Sequence, residues 1–126
     1  MTTDKICKRI LIADDDRDLV ANLRDFLEHE GFEIIAAYEG IRAIEAAHKK
    51  SPDLILLDLQ MPVGMGQSVL QALRSCTETE KIPVIVLTGL KEPNLEKEIK
   101  AAGAKDFLLK PYSRETLLNK IRVCLQ

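Results

Sequence analysis

The sequence predicts an α/β domain, a doubly wound sheet of five parallel strands in the order 2-1-3-4-5 with five helices covering both faces. Two observations carry that expectation. Short aliphatic runs of strand length alternate five times with longer stretches of helical period. Most of those runs are aliphatic at every position rather than at every second one, as strands buried on both faces must be. Right-handed crossovers then leave few ways to wind five parallel strands, and 2-1-3-4-5 is the commonest with helices on both sides.

The strands are expected at Arg9 to Ala13, Phe32 to Ala36, Asp53 to Leu57, Pro83 to Leu87 and Phe107 to Leu109. Leu19, Leu23, Phe26 and Leu27 place an apolar stripe on a first helix ending near Gly31, and Ile41, Ile44 and Ala47 mark a shorter second one. Met65, Val69, Leu73 and Cys76 recur at steps of four, four and three along a third helix. Asn94 is suited to cap a fourth helix that runs through Ala102 with the thin stripe Leu95, Ile99 and Ala102, and Gly103 stops it. Ser113 is suited to cap the last, which carries Leu117, Leu118, Ile121 and Leu125. No repeat or linker divides the chain, so residues 1–126 read as one domain with a core of about 8–125 and short tails.

Composition narrows the function. With 46% hydrophobic and 30% charged residues in 126, the chain should bury roughly two-thirds of its unfolded surface. A net charge of −2 offers no basic stripe for nucleic acid or anionic lipid. No apolar run reaches the ~20 residues of a bilayer crossing and MTTDKICKRI lacks a signal peptide's apolar core, so a cytoplasmic protein without membrane contact is expected. Cys7, Cys76 and Cys124 are odd in number and far apart, which favours plain buried or half-buried thiols over a disulfide framework or zinc site. His29 and His48 fall near helix ends, where the helix dipole and solvent account for them.

In a parallel sheet the residues that follow each strand gather on one edge, and ligands bind there, near strands 1 and 3. Here that edge receives Asp14, Asp15 and Asp16, then Asp58, then Thr88 and Gly89, then Lys110 and Pro111, while strand 2 offers Ala37, Tyr38 and Glu39. Each group alone has a bland reading: an acidic helix start, a turn residue, a loop. Their convergence on one edge does not. Carboxylates that crowded stay ionised only around a cation, and an all-oxygen set suits Mg²⁺. Asp58, projecting from Leu54-Ile55-Leu56-Leu57, is placed to attack phosphorus and form an acyl phosphate. Lys110 and Mg²⁺ would neutralise the transferred oxygens, Thr88 would donate a hydroxyl, and Gly89 would leave room for entry.

These residues resemble the receiver domain of two-component response regulators. The matching segments are ILIADDD at 10–16, DLILLDLQMP at 53–62, PVIVLTG at 83–89 and GAKDFLLKPY at 103–112. A chemotaxis member of that family is a known example of the 2-1-3-4-5, flavodoxin-like order. The resemblance implies that Asp58 accepts a phosphoryl group from a phosphohistidine of a sensor histidine kinase or phosphotransfer protein. It implies that Asp14, Asp15, Asp58 and the backbone carbonyl of Gln60 hold Mg²⁺, with Asp15 the direct ligand of the acidic pair and Asp14 acting partly through water. Thr88 and Lys110 would bind phosphoryl oxygens, and the Lys110-Pro111 bond would be cis. Thr88 and Phe107 would be the switch that alters the surface of helix 4, strand 5 and helix 5, signalling to a downstream protein target or effector domain. A phosphorylation-dependent homodimer is a further outlet the resemblance allows.

Asp16 has no constant role in that family and is expected to cap its helix. Phe107 stands where Tyr is commoner, so no hydroxyl holds its inward state. Met61-Pro62-Val63-Gly64-Met65-Gly66 departs from the frequent MP-x-M-D-G pattern, which suggests a looser start to helix 3. Gln60 and Leu90 occupy sites that tune phosphoryl lifetime in the family.

Three other readings compete. Asp14-x-Asp16 looks like the nucleophile motif of haloacid-dehalogenase-type phosphatases, but a capping domain and a second acidic pair near strand 4 are missing. A flavin site would need amide donors where this chain is acidic. A receiver-like interaction module working without phosphorylation would not need the intact acidic pair, acceptor, Thr and Lys.

Overall fold

The computed structural model describes residues 7–60 and 66–126. The elements alternate as expected: β1 (Arg9–Ala13), α1 (Arg17–His29), β2 (Glu33–Ala37), α2 (Gly40–Lys50), β3 (Leu54–Asp58), α3 (Gly66–Arg74), β4 (Val84–Thr88), α4 (Leu95–Ala101), β5 (Asp106–Leu109) and α5 (Arg114–Cys124). The sheet is parallel throughout, in the order β2-β1-β3-β4-β5.

Alternation along each strand divides the core in two. Leu11, Ile55, Leu57, Val84 and Val86 face Ala43, Ala47, Val69, Leu73, Leu95 and Ile99, so α2, α3 and α4 cover one side. Ile10, Ile12, Leu54, Leu56, Ile85 and Leu87 face Val20, Leu23, Leu27, Leu117 and Ile121, so α1 and α5 cover the other. β3 and β4 are buried along their whole length, which explains why they read as unbroken aliphatic runs.

Several boundaries differ from the sequence reading. β2, β3 and β4 each begin and end one residue later than their aliphatic runs, and β5 begins at Asp106. Ladder register rather than apolarity sets these limits: Asp58 pairs with Leu87, and Thr88 with Leu109. The acceptor candidate and the threonine are therefore terminal strand residues, held by the sheet itself rather than by a following loop.

The helices differ in which side chains they bury. α2 turns Gly40, Ala43 and Ala47 inward, with Ile44 half-buried, while Ile41 is 62% exposed. Small residues let this helix lie close to the sheet, and the bulky Ile41 is left outside. α3 ends at Arg74, before Cys76, because the fully buried Thr79 donates its hydroxyl to the Leu73 carbonyl at 2.6 Å and turns the chain. Met65, part of the expected stripe, lies outside the described residues, as do Met61, Pro62, Val63 and Gly64. Asn94 stands before α4 but makes no side-chain cap; its backbone adopts φ +67°, a conformation Asn tolerates, and its carbonyl accepts from Glu98 N at 2.9 Å. Leu95 and Ile99 are buried while Ala102 is exposed.

Other details agree with expectation. Asp16 caps α1 by accepting from Leu19 N, and Ser113 caps α5 by accepting from Thr116 N. Leu117 and Ile121 are buried in α5, with Leu118 and Leu125 half-buried. His29 and His48 are exposed in the last turns of α1 and α2. Cys76 and Cys124 are half-buried, whereas Cys7, ahead of β1, is exposed rather than packed. Among the described residues no helix is long and apolar enough to cross a membrane.

Gly103 closes α4 with φ +113°, and a Cβ there would stand 2.7 Å from Cγ and Cδ of Arg74. Arg74 cannot easily yield, because its guanidinium donates to the carbonyls of Glu80 and Ile82. Gly103→Ala should therefore cost about 1–3 kcal/mol in a urea titration; an unchanged midpoint would show that Arg74 moves aside freely.

Candidate acidic site at the carboxyl edge of the sheet

β1, β3, β4 and β5 bring Asp14, Asp58, Thr88 and Lys110 to one edge. Asp14 directly follows β1 and is 2% exposed; its N–H donates to the Ala37 carbonyl at 3.0 Å, which fixes it beside the end of β2. Its Oδ1 accepts from Asp16 N at 3.0 Å and its Oδ2 from Lys110 Nζ at 3.3 Å. Asp58 is 4% exposed, accepts from Gln60 N at 3.2 Å through Oδ1, and lies 3.7 Å from Lys110 Nζ. Asp15 is exposed, yet one carboxylate oxygen from each of Asp14, Asp15 and Asp58 falls within 4.8 Å of the others.

One ammonium thus contacts two of the three clustered carboxylates, Asp14 and Asp58. Burial pushes the Asp58 carboxyl above the usual carboxylate range, and the charge of Asp14 pushes it further; the Gln60 N–H and Lys110 pull it back in part. The half-buried Tyr112, two residues beyond Lys110, feels the same field: burial first, then the charges of Asp14 and Asp58, raise its phenol to about 12. Such a site is short of positive charge. Three clustered carboxylate oxygens, all hard donors, form a set that fits a divalent ion such as Mg²⁺.

Thr88 is fully buried at the end of β4, its carbonyl accepting from Lys110 N at 2.7 Å and its Oγ1 accepting from Leu90 N at 3.1 Å. The Lys110-Pro111 peptide is cis. Phe107 is half-buried against the α4 side of the core and lines a groove of about 650 Å³ with Leu90, Lys97, Lys100 and Leu109. Asp16 turns its carboxylate to cap α1, accepting from Leu19 N at 3.1 Å.

A family model described as the response regulator receiver domain matches residues 10–122. The chain belongs to the response regulator receiver family. Among relatives of this receiver, the transcriptional regulatory protein PrrA of Mycobacterium tuberculosis is 36% identical over 126 residues, covering 100% of this chain and 53% of PrrA. The transcriptional regulatory protein CpxR of Escherichia coli is 40% identical over 119 residues, covering 94% of this chain and 49% of CpxR. The receiver spans about half the length of these curated relatives. The chemotaxis protein CheY4 of Vibrio cholerae superposes with a TM-score of 0.89 at 31% identity, covering 95% of this chain and all of CheY4.

The receiver also carries contacts that the sequence reading did not foresee. Gln60 Oε1 accepts from Gly89 N at 3.0 Å, linking the loops after β3 and β4. Asp106 accepts from Lys120 Nζ at 3.1 Å and lies 3.8 Å from Lys100 Nζ, tying β5 to α5 and α4. Arg17 stacks over the Tyr38 ring at 3.9 Å, joining the start of α1 to the segment after β2. None of these has a periodic signal. Each needs two distant segments to be adjacent.

Proposed function

We propose that Asp58 of this receiver is the phosphoacceptor, taking a phosphoryl group from a phosphohistidine on a sensor histidine kinase or phosphotransfer protein. The observation that carries this is the meeting of three carboxylates and one ammonium at the edge where strand-end Asp58 lies. A carboxylate oxygen of Asp58 attacks phosphorus; an O–P bond forms, the P–N bond breaks, and the electron pair leaves on the imidazole nitrogen, which takes a proton from water. Lys110 stabilises charge on the transferred oxygens, and Thr88 donates its hydroxyl to one of them once that hydroxyl turns from its local turn. Asp14, Asp15, Asp58 and the Gln60 carbonyl would hold Mg²⁺, which when bound supplies further positive charge beside those oxygens.

Phosphorylation then makes the site about one charge more negative, biases Thr88 and Phe107, and alters the face of α4, β5 and α5 for a downstream protein target, an effector domain or a second copy. The chain works as a single signalling domain with a core of about 8–125, assisting its own phosphorylation and dephosphorylation rather than acting on a separate substrate. Its net charge of −2 favours protein partners over direct contact with nucleic acid.

The test is incubation with Mg²⁺ and a small acyl phosphate, followed by intact-mass measurement and hydroxylamine treatment. One labile phosphoryl group at Asp58 is expected; no adduct, or one at Asp14, would overturn the assignment. Lys110→Met should slow adduct formation by roughly 10²–10³-fold. Leaving Asp14 and Asp58 without their shared cation should also raise the Asp58 carboxyl further, read by an NMR pH titration; an unmoved titration would remove Lys110 from the site.

A further inference from the structure

We infer that the Gln60 side chain is a resting-state latch, its carboxamide oxygen occupying the Gly89 amide until a phosphoryl group arriving on Asp58 displaces it; this rests on Asp58 being the phosphoacceptor. Gln60 touches the site twice. Its backbone N–H donates to Asp58 Oδ1 at 3.2 Å, and its side-chain Oε1 accepts from Gly89 N at 3.0 Å. One residue therefore joins the acceptor at the end of β3 to the amide just beyond Thr88, the last residue of β4. Asp58 pairs with Leu87 across those strands, so Gly89, just past the end of β4, lies two residues beyond Asp58's ladder partner on the same edge.

An amide N–H is a single donor, whereas a phosphoryl group brings three strong acceptor oxygens. A phosphoryl oxygen entering at this edge and the Gln60 oxygen compete for the same proton, and both cannot hold it at full strength. A Cβ at Gly89 would stand in ordinary contact, 3.4 Å, with Gln60 Oε1, which shows how closely the carboxamide covers this amide. In the resting state the next amide is also satisfied locally, Leu90 N donating to Thr88 Oγ1 at 3.1 Å. The loop from Thr88 to Leu90 is thus closed on internal acceptors at two successive amides. Opening it frees the Gly89 donor and loosens the segment that leads to the groove containing Leu90 and Phe107. Gln60 is exposed, so its hydrogen bond has the modest net worth of one made in competition with water, a factor of roughly two to ten. Gln60 is therefore a positioning residue, acting through Gly89.

Gln60→Met keeps length and removes the strong acceptor; Gln60→Ala removes the side chain; Gln60→Glu keeps an acceptor. The Gly89 amide is followed by nitrogen-15 NMR and hydrogen exchange without phosphodonor, and adduct formation by intact mass with Mg²⁺ and a small acyl phosphate. Faster Gly89 exchange by roughly two- to tenfold in the Met and Ala variants, with protection retained in Glu, is expected. Adduct formation should be accelerated in Met and Ala by a comparable factor. Unchanged Gly89 exchange in Met and Ala would overturn the latch. A freed Gly89 amide with unaccelerated adduct formation would overturn its displacement by the phosphoryl group while leaving the phosphoacceptor assignment standing. Absence of any adduct on the unsubstituted chain would overturn that assignment and the displacement with it.

Discussion

Asp58→Asn will leave the chain unable to form the hydroxylamine-labile phosphoryl adduct, and it will make the fold more stable. The first effect follows from chemistry: a carboxamide oxygen is a poor nucleophile toward phosphorus and yields no acyl phosphate. The second follows from the charge balance of the resting site. Asp58 is buried beside Asp14 with Lys110 shared between them, and its carboxyl is raised by burial first and by Asp14 second. A carboxyl raised above its unfolded value destabilises the fold at pH values above the folded pKa. That cost fades as pH falls, through the window between the folded value and the ordinary one. Neutralising the side chain removes it at neutral pH, while Lys110 keeps its contact with Asp14 at 3.3 Å. The gain should be on the order of 1 kcal/mol, the Coulomb energy of two charges near 4 Å even in water. Urea unfolding at pH 7 with and without the substitution measures it. A destabilised Asp58→Asn would mean that the Lys110 contact outweighs the repulsion from Asp14.

Adduct formation will also fall at least roughly a hundredfold in excess chelator, and Mg²⁺ alone will raise the urea midpoint. The three clustered carboxylate oxygens have one ammonium among them, so on the proposed reading they would bind a divalent ion in the folded state and scatter when the chain unfolds. Mass action then stabilises the fold by about 2.7 kcal/mol at a hundred times the dissociation constant. Asp15→Asn should weaken both effects together, because its exposed carboxylate is the one that solvent-borne Mg²⁺ meets first. Substantial phosphorylation under chelation, or a midpoint indifferent to Mg²⁺, would refute the metal site.

The site was legible in the sequence to the extent that strands were. Asp14, Asp58, Thr88 and Lys110 each sit at the end of an aliphatic run, and parallel pairing brings such ends together. The aliphatic runs misplaced three strands by one residue, because Asp58 and Thr88 keep ladder partners although they are polar. The Ile41 error has a similar origin: helical spacing cannot say which of two apolar arcs faces the sheet when alanines line the other. Asn94 has the composition of a cap, yet its positive φ puts the chain reversal in its backbone rather than in its side chain.

By itself the sequence determined the winding, the two-sided core and the edge at which chemistry collects, because period, burial and crossover handedness are properties of short segments and of chirality. Only the tertiary structure decided which groups touch. The sharing of Lys110 between two buried carboxylates, the seat of Gln60 on Gly89 and the tether of Asp106 to two helices depend on ångström-scale register between segments far apart in the chain. No local pattern encodes that register, since it is set by how the whole core packs.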